Sequence, residues 1–251
     1  IWKLIPNEAL EINKTSISDG EMSGYPTFAS VVATDEKYFK KFRANQALID
    51  VLDHVSISLG KTYISEFQKT WLISKTHIKA MKKLDEVGNP SKYKYPGIGL
   101  ISPTMLRYLK VFGDLQMYFG TLDNLIISEV GVGFGGQAGI ISLLSAPSEY
   151  RLFDIPPVLS LAEKYIEKTL PLDKFSFING RNPIEMHSDL FISNYALSEL
   201  SRDMQRQYLD KVVLNSKMGY ITWNNLSEKF LHGYSLAELV RSEEHTSELQ
   251  S

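Results

Sequence analysis

The sequence predicts an α/β protein: a doubly wound, Rossmann-like parallel sheet preceded by an α-helical N-terminal region. Three observations lead to this prediction. Beyond residue 125, short apolar runs alternate with segments of helical periodicity, which is typical of a parallel sheet covered by helices. The first run leads into a glycine-rich turn at 131–136, and the second ends at an acid, Asp154. A strand, a glycine turn and a helix in succession are typical of a nucleotide-binding sheet.

The elements follow from apolar spacing and from residues that begin or end helices. Residues 1–33 are predicted to be loop or short helix. Helices are expected over 34–60 and 62–87, the second ended by Gly88-Asn-Pro90, and Ser102-Pro103 caps and begins a third. The predicted strands of the sheet are 125–130, 150–153, 175–178, 190–193 and 219–223. The helices that follow them are predicted at 136–144, 158–168, about 199–214 and from about 235 onward.

The change of pattern near residue 123 divides the chain. Residues 1–122 form a helical region, expected to cover substrate, act as a lid or make a dimer, and residues 123–240 form the nucleotide-binding type of domain. The last eleven residues, 241–251, resemble the translation of a sequencing adapter, and the chain starts at Ile1 rather than methionine. We therefore expect a fragment of a longer protein.

Composition narrows the class of protein. The hydrophobic content of 43% is ordinary for a globular chain, and without 241–251 the basic and acidic residues balance. Neutrality argues against nucleic-acid and anionic-membrane partners, and Lys92, Lys94 and Arg107 are expected to form a solvated face rather than to meet an anionic substrate group. No apolar run reaches the length of a membrane span. The lack of cysteine excludes disulfides, thiolate metal sites and a cysteine nucleophile, and fits a reducing, cytoplasmic location.

The glycine turn is the strongest functional signal. Glycines occupy positions 131, 133, 135 and 136, just after the strand that carries Glu129. Glycine tolerates positive φ and lets a ligand approach the main chain, and the following helix presents free N–H groups. Three of the glycines also satisfy the G-x-G-x-x-G pattern of dinucleotide-binding proteins. Glu129 can reach an ammonium group of a ligand, which favours S-adenosylmethionine.

Asp154 is the second functional mark. It lies 18 residues beyond Gly136, about the spacing at which a carboxylate accepts hydrogen bonds from a ribose diol. Nicotinamide enzymes place an acid similarly. Asp154 therefore indicates a ribose-bearing cofactor and leaves open which one.

A third mark follows the fourth predicted strand, where Asn194, Tyr195 and Glu199 occur close together. In a doubly wound sheet the crevice opens at the carboxyl ends of the strands, beside the point where the strand order reverses. Polar residues directly after a buried strand pack poorly, so we expect these three over the crevice.

Six segments occur in order along roughly residues 60–240: Gly88-Asn-Pro90, Leu106-Arg-Tyr-Leu109, Glu129–Gly136, Asp154-Ile-Pro156, Asp189–Glu199 and Gly219-Tyr-Ile-Thr222. Together they resemble the sugar O-methyltransferases of glycoside and polysaccharide biosynthesis clusters, which are class I S-adenosylmethionine-dependent methyltransferases. The resemblance implies a seven-stranded sheet in the order 3-2-1-4-5-7-6. Strands one to five are present and six and seven are expected to be missing, which would leave 219–223 as an exposed edge and put the activity of this fragment in doubt.

The resemblance also implies an activity and a set of contacts. The expected reaction is methylation of a sugar hydroxyl on a small molecule or glycan. The residues expected to contact S-adenosylmethionine are Glu129 (ammonium group), Gly131, Gly133 and Gly135 (beneath the ligand), Asp154 (ribose), Asn179 (adenine) and Asn194.

Methyl transfer to a hydroxyl needs a base, and four residues are candidates for catalytic roles. His187 offers an imidazole, a common general base, but precedes the fourth strand, at the end away from the crevice. His232 follows the fifth strand at the correct edge. Glu199 is either a base or a helix-terminal charge, and Tyr195 could orient the acceptor. His54 and His77 are expected to be structural.

Two other functions stay open: an NAD(P)-dependent oxidoreductase, and a non-catalytic methyltransferase-like binding subunit. No bound metal is expected, because Asn194, Asn224 and Asn225 are neutral ligands and suit a hard cation poorly. A homodimer is the assembly considered.

Overall fold

The computed structural model describes residues 2–6, 24–70, 73–224, 228 and 232–239. Helices fill most of the part that precedes residue 120. Their bounds are α1 (Tyr25–Thr34), α2 (Glu36–Phe39), a 3-10 turn (Phe42–Ala44), α3 (Gln46–Leu48), a π-helical turn (Ile49–Asp53), α4 (Ile57–Thr70), α5 (Lys75–Glu86) and α6 (Pro103–Phe119). A short hairpin of β2 (Tyr93–Tyr95) and β3 (Gly99–Ile101) precedes α6.

The main sheet has six described strands, and every pair in it is parallel. Its strands are β1 (Trp2–Pro6), β4 (Ile126–Val130), β5 (Glu149–Asp154), β6 (Phe175–Asn179), β7 (Ser188–Asn194) and β8 (Ser216–Trp223). The helical segments between them are α7 (Gly136–Leu144), α8 (Pro156–Glu167), a 3-10 turn (Ala196–Glu199), α9 (Arg202–Tyr208) and a π-helical turn (Leu209–Val213). The spatial order β1-β8-β7-β4-β5-β6 confirms the predicted Rossmann-like, doubly wound α/β fold.

Helices cover both faces of the sheet. Its strands are therefore mostly continuous apolar runs in the sequence rather than alternating apolar and polar residues. Successive side chains of β4 alternate between the faces. Ile127 belongs to the larger core, which includes residues of α6, α7 and α8. Val130 belongs to a smaller core with residues of α9 and the π-helical turn after it. Glu129, two residues after Ile127, therefore lies on the face covered by the N-terminal helices.

The interpretation of residues 1–33 as loop or short helix is wrong at its start, because residues 2–6 form β1, which pairs with β8 in parallel from Trp2↔Gly219 to Pro6↔Trp223. It is confirmed at Tyr25–Thr34, which form the 10-residue helix α1. The expected exposed edge at 219–223 is therefore also wrong, because β1 covers it. A pairing between residues more than 200 positions apart leaves no local sequence signal.

Removing residues 1–6 is expected to expose the outer ladder groups of β8. Unpaired N–H and C=O groups on an edge strand invite association with other chains. We expect a lower melting temperature and concentration-dependent association, measured by thermal melting and size-exclusion chromatography. Removal of residues 242–251 is the control. A truncated monomer that melts like the full chain would show that β1 contributes little.

Several predicted helices are broken where the sequence suggested one continuous element. The segment predicted as one helix over 34–60 is instead a series of short helical turns followed by the start of α4. Asp35 ends α1 and caps α2, accepting a hydrogen bond from the Lys37 N–H at 2.7 Å. Gly60 lies inside α4 rather than at a helix end, packed against the Tyr95 side chain. The 62–87 helix is divided, since Ser74 caps a new helix, α5, and the 199–214 helix is similarly divided after Glu199.

Within the described residues, no helix is both long and apolar enough to cross a membrane.

Candidate functional site

The glycine turn lies at the point where the sheet reverses its winding. β4 has β5 on one side and β7 on the other, so the chain leaves β4 between the two halves of the sheet. Gly131, Gly133 and Gly135 have φ values of 76°, 54° and 84°. This left-handed region strains any other L-residue, so the turn requires glycine at these positions. The carboxyl ends of β4 and β7 therefore meet at a glycine backbone, the usual ligand position in such sheets.

The glycine turn is covered by side chains from distant parts of the chain. A Cβ atom at Gly133 would lie 2.7 Å from Leu52 Cδ1, and one at Gly131 would collide with Ala196. We call Ile49–Asp53, the π-helical turn that carries Leu52, the roof segment. The roof segment, the glycine turn and the residues after β7 thus converge at one place.

Glu129 is a buried acid beside this turn. Its side chain is only 2% exposed, and its Oε2 accepts a 2.6 Å hydrogen bond from the Tyr150 hydroxyl. Burial raises the pKa of Glu129 to about 8, although the Tyr150 hydrogen bond acts in the opposite direction. A positive charge placed next to this carboxyl would stabilise its ionised form. The site is therefore suited to a cationic ligand group.

Asp154 contacts the glycine turn directly. Its Oδ2 accepts from the Gly133 N–H at 3.2 Å and its Oδ1 from the Ile155 N–H at 2.8 Å. Burial raises the pKa of Asp154 to about 6, while these backbone donors favour the carboxylate. The acid at the end of β5 is thereby held at the turn.

Tyr25, on α1, was not singled out from the sequence. Its side chain is 8% exposed, and its hydroxyl is buried without a hydrogen-bond partner among the described residues. Burial, and next the charge of Asp154, raise the pKa of this hydroxyl well above its usual value. A buried hydroxyl without a partner is costly. A ligand hydroxyl near Asp154 would supply the missing hydrogen bond.

The polar residues after β7 lie at the same edge of the sheet. Tyr195 has a φ of 72° and donates its N–H to the Thr222 carbonyl, while burial raises the pKa of its side chain to about 12. Asn194 Oδ1 accepts from the Thr222 hydroxyl at 3.3 Å. Glu199 Oε1 accepts from Asn224 Nδ2 at 2.8 Å. These residues hold the ends of β7 and β8 together beside the glycine turn.

The other predicted site residues are placed differently. His187 directly precedes β7, so it lies at the edge of the sheet opposite to the glycine turn, and its carbonyl accepts from Arg151. This position gives His187 no support as the base. His232 is exposed, with a φ of 52°. Asn179 lies opposite Asp154 in the β5–β6 pairing, and its side chain accepts from the Arg181 N–H.

Arg107 does not form part of a solvated face, contrary to the sequence prediction. It is half-buried on α6, and its Nη2 donates to the Leu52 carbonyl at 3.3 Å. Charge on one helix position cannot indicate this, because the covering roof segment lies about 55 residues away in sequence.

Comparison with protein-family models and with curated proteins gives no match for this chain. Among solved structures it is similar to Thermoplasma acidophilum protein 1320, at 16% identity over 63% of this chain and 76% of that one, with a TM-score of 0.44. It is similar to PH1948 of Pyrococcus horikoshii, described as a proposed RNA methyltransferase, at 12% identity over 63% and 78%, with a TM-score of 0.42. A proposed methyltransferase from Bacillus halodurans gives 14% identity over 35% and 38%, with a TM-score of 0.30.

The residues around the turn suit S-adenosylmethionine chemically. Glu129 matches an ammonium group, Asp154 and Tyr25 match ribose hydroxyls, and the glycines allow main-chain approach. Leu52 would have to withdraw from Gly133 for a ligand to contact that glycine. No group of three or more acidic or histidine side chains that could hold a metal occurs in the part of the chain that the structure describes.

Proposed function

We propose that this protein is an S-adenosylmethionine-dependent O-methyltransferase, located in the cytoplasm, that methylates a hydroxyl of a sugar or glycan. The observation that carries the proposal is the convergence of Glu129, the positive-φ glycine turn and Asp154 at the switch point of the sheet. A nicotinamide cofactor would also use the glycines and Asp154. It offers no ammonium group to Glu129, and this favours the methyltransferase.

S-Adenosylmethionine, when bound, would supply an electrophilic methyl group on its sulfonium. Glu129 would hold the ammonium group as a carboxylate, and Asp154 with Tyr25 would hold the ribose hydroxyls. The acceptor hydroxyl has to lie about 3 Å from the methyl carbon, in line with the bond that breaks. The turn after β7 is the part of the chain positioned to orient it.

Glu199 is the proposed general base that deprotonates the acceptor hydroxyl. Glu199 lies after β7 and is oriented by Asn224, and its carboxylate would take the hydroxyl proton as the oxygen attacks. Tyr195 is half-buried and keeps its proton at neutral pH, since its pKa is raised to about 12. It would therefore orient the acceptor by hydrogen bonding rather than act as the base.

Binding of S-adenosylhomocysteine tests the proposal. Asp154→Ala is expected to weaken this binding about tenfold or more, because hydrogen bonds to charged groups contribute about 1.5–3 kcal/mol. Tyr25→Phe should weaken it by a smaller factor and leave the ligand-free protein at least as stable as before, since its buried hydroxyl has no partner there. Isothermal titration calorimetry and thermal unfolding measure the two effects.

Three outcomes distinguish the competing functions. A thermal shift with NADH but none with S-adenosylhomocysteine would favour the oxidoreductase. Cofactor binding without methyl transfer to any sugar or glycan would favour a non-catalytic subunit. Unchanged affinity in both Asp154→Ala and Glu129→Ala would contradict the cofactor site itself.

A further inference from the structure

Arg107 is a half-buried cation on α6, in contact with the roof segment. Its guanidinium donates to the Leu52 carbonyl of the roof segment and lies 5.3 Å from the centre of the Tyr108 ring. Tyr108 in turn packs against Gly136, the first residue of α7. Arg107 therefore lies where the roof segment meets the glycine turn.

The charge of Arg107 is not balanced by an acid. Among the described residues, no carboxylate forms an ion pair with it, and the side chains that act on its charge are those of Tyr108, Tyr195 and Tyr63. Arg43, which is fully buried, provides a contrast within the same region, since it pairs with Asp53 and Asp85 at 2.9 Å each. A guanidinium partly withdrawn from water without an anion loses hydration that nothing replaces. This arrangement favours a role for Arg107 in binding an anionic ligand group.

The neighbours of Arg107 can complete an anion site. Tyr63 and Tyr195 carry hydroxyl groups near the guanidinium. His54 itself is exposed at the surface. Partial desolvation, and next the positive charge of Arg107, lower the pKa of His54. His54 is therefore neutral at physiological pH and adds a hydrogen-bonding group without a second charge. Arginine binds carboxylate and phosphate groups in a bidentate manner.

We propose that Arg107 binds a carboxylate or phosphate group of the methyl acceptor, which makes the acceptor an anionic sugar such as a uronate or a sugar phosphate. This inference rests on the proposed methyltransferase function. The acceptor is favoured over the cofactor because the proposed cofactor residues, Glu129 and Asp154, lie on β4 and β5, whereas Arg107 is beside Tyr195, after β7.

The experiment compares wild type with Arg107→Gln, Arg107→Lys and the control Arg206→Gln, which changes an arginine that is 74% exposed on α9. Ligand-observed NMR titrations in the presence of saturating S-adenosylhomocysteine use glucuronate, glucose 6-phosphate and uncharged glucose as probes. Calorimetry with S-adenosylhomocysteine and with 5′-methylthioadenosine, which lacks the amino-acid group, tests the cofactor side. Melting temperatures verify that each variant is folded.

We expect Arg107→Gln to weaken glucuronate or glucose 6-phosphate binding about tenfold or more, with glucose unchanged and Arg107→Lys intermediate. Which of the two probes responds distinguishes a carboxylate from a phosphate. Equal binding of all probes by wild type and a folded Arg107→Gln would overturn the proposal. Weaker S-adenosylhomocysteine but unchanged 5′-methylthioadenosine binding would overturn it too, because Arg107 would then bind the cofactor's carboxylate. Failure of wild type to bind S-adenosylhomocysteine would instead refute the proposed function.

Discussion

Glu129→Gln is expected to abolish most of the affinity for S-adenosylhomocysteine and to remove its dependence on pH. The ammonium group of the ligand selects the ionised carboxylate, and burial raises the pKa of Glu129 to about 8 in the free protein. Wild-type affinity should therefore increase as the pH rises toward about 8, by up to about tenfold per pH unit. Glutamine has nearly the same shape but no charge, so the variant should bind weakly, with a flat profile above about pH 7, where Asp154 is ionised.

Calorimetry over a range of pH, in buffers of different ionisation enthalpy, measures both affinity and proton release. Wild type should release a proton on binding below pH 8, and Glu129→Gln should not. The control is Glu149→Gln at the start of β5, an acid at the other end of the sheet. Equal affinity and equal proton release in wild type and Glu129→Gln would contradict the assignment of Glu129 to the ammonium group.

Glu129→Gln should also stabilise the ligand-free protein at pH values above about 4.5. The folded-state pKa of Glu129, about 8, lies above its ordinary value of 4.5, so between these pH values the folded state holds a proton that the unfolded state has lost. The stabilising contribution is present below about pH 4.5 and is lost as the pH rises to about 8. Each pKa unit corresponds to about 1.4 kcal/mol. Glu129→Gln should remove this decline, as measured by urea unfolding at pH 5 and pH 9.

Arg43→Met is expected to lower the free energy of unfolding by about 3–5 kcal/mol, the usual cost of removing one partner from a buried charge network. Arg43 is 1% exposed and donates to Asp53 at 2.9 and 3.2 Å, to Asp85 at 2.9 Å and to the Ser102 hydroxyl at 2.9 Å. Methionine fills much of the volume but leaves two acids without their cation. Because Asp53 belongs to the roof segment, the variant should also loosen the cover of the glycine turn.

Chemical denaturation measures this loss, with the exposed Arg206→Met as the control, expected within about 0.5 kcal/mol of wild type. The double variant Arg43→Met with Asp85→Asn should be less destabilised than the sum of its single changes, since the second change removes one uncompensated charge. A loss below about 1 kcal/mol in Arg43→Met would show that the acids find other partners.

The sequence by itself determined the α/β class, the places of the central strands along the chain and the position of the glycine turn. These features depend on local chemistry. Helix α7 begins and ends at the predicted residues, 136 and 144, because glycines with positive φ must precede it. Asp154 was also found from sequence, because strand length and the end of the apolar run place it at the edge of the sheet.

Only the tertiary structure decided the pairing of β1 with β8 and the surroundings of Tyr25 and Arg107. Each depends on groups far apart in the chain, such as Leu52 with Arg107 or Trp2 with Gly219. A local pattern shows that a residue is charged or aromatic, but not whether a distant segment covers it. Burial changes the free energy of such a group far more than its neighbours in sequence do, so the candidate binding roles of Tyr25 and Arg107 emerge only once the fold is formed.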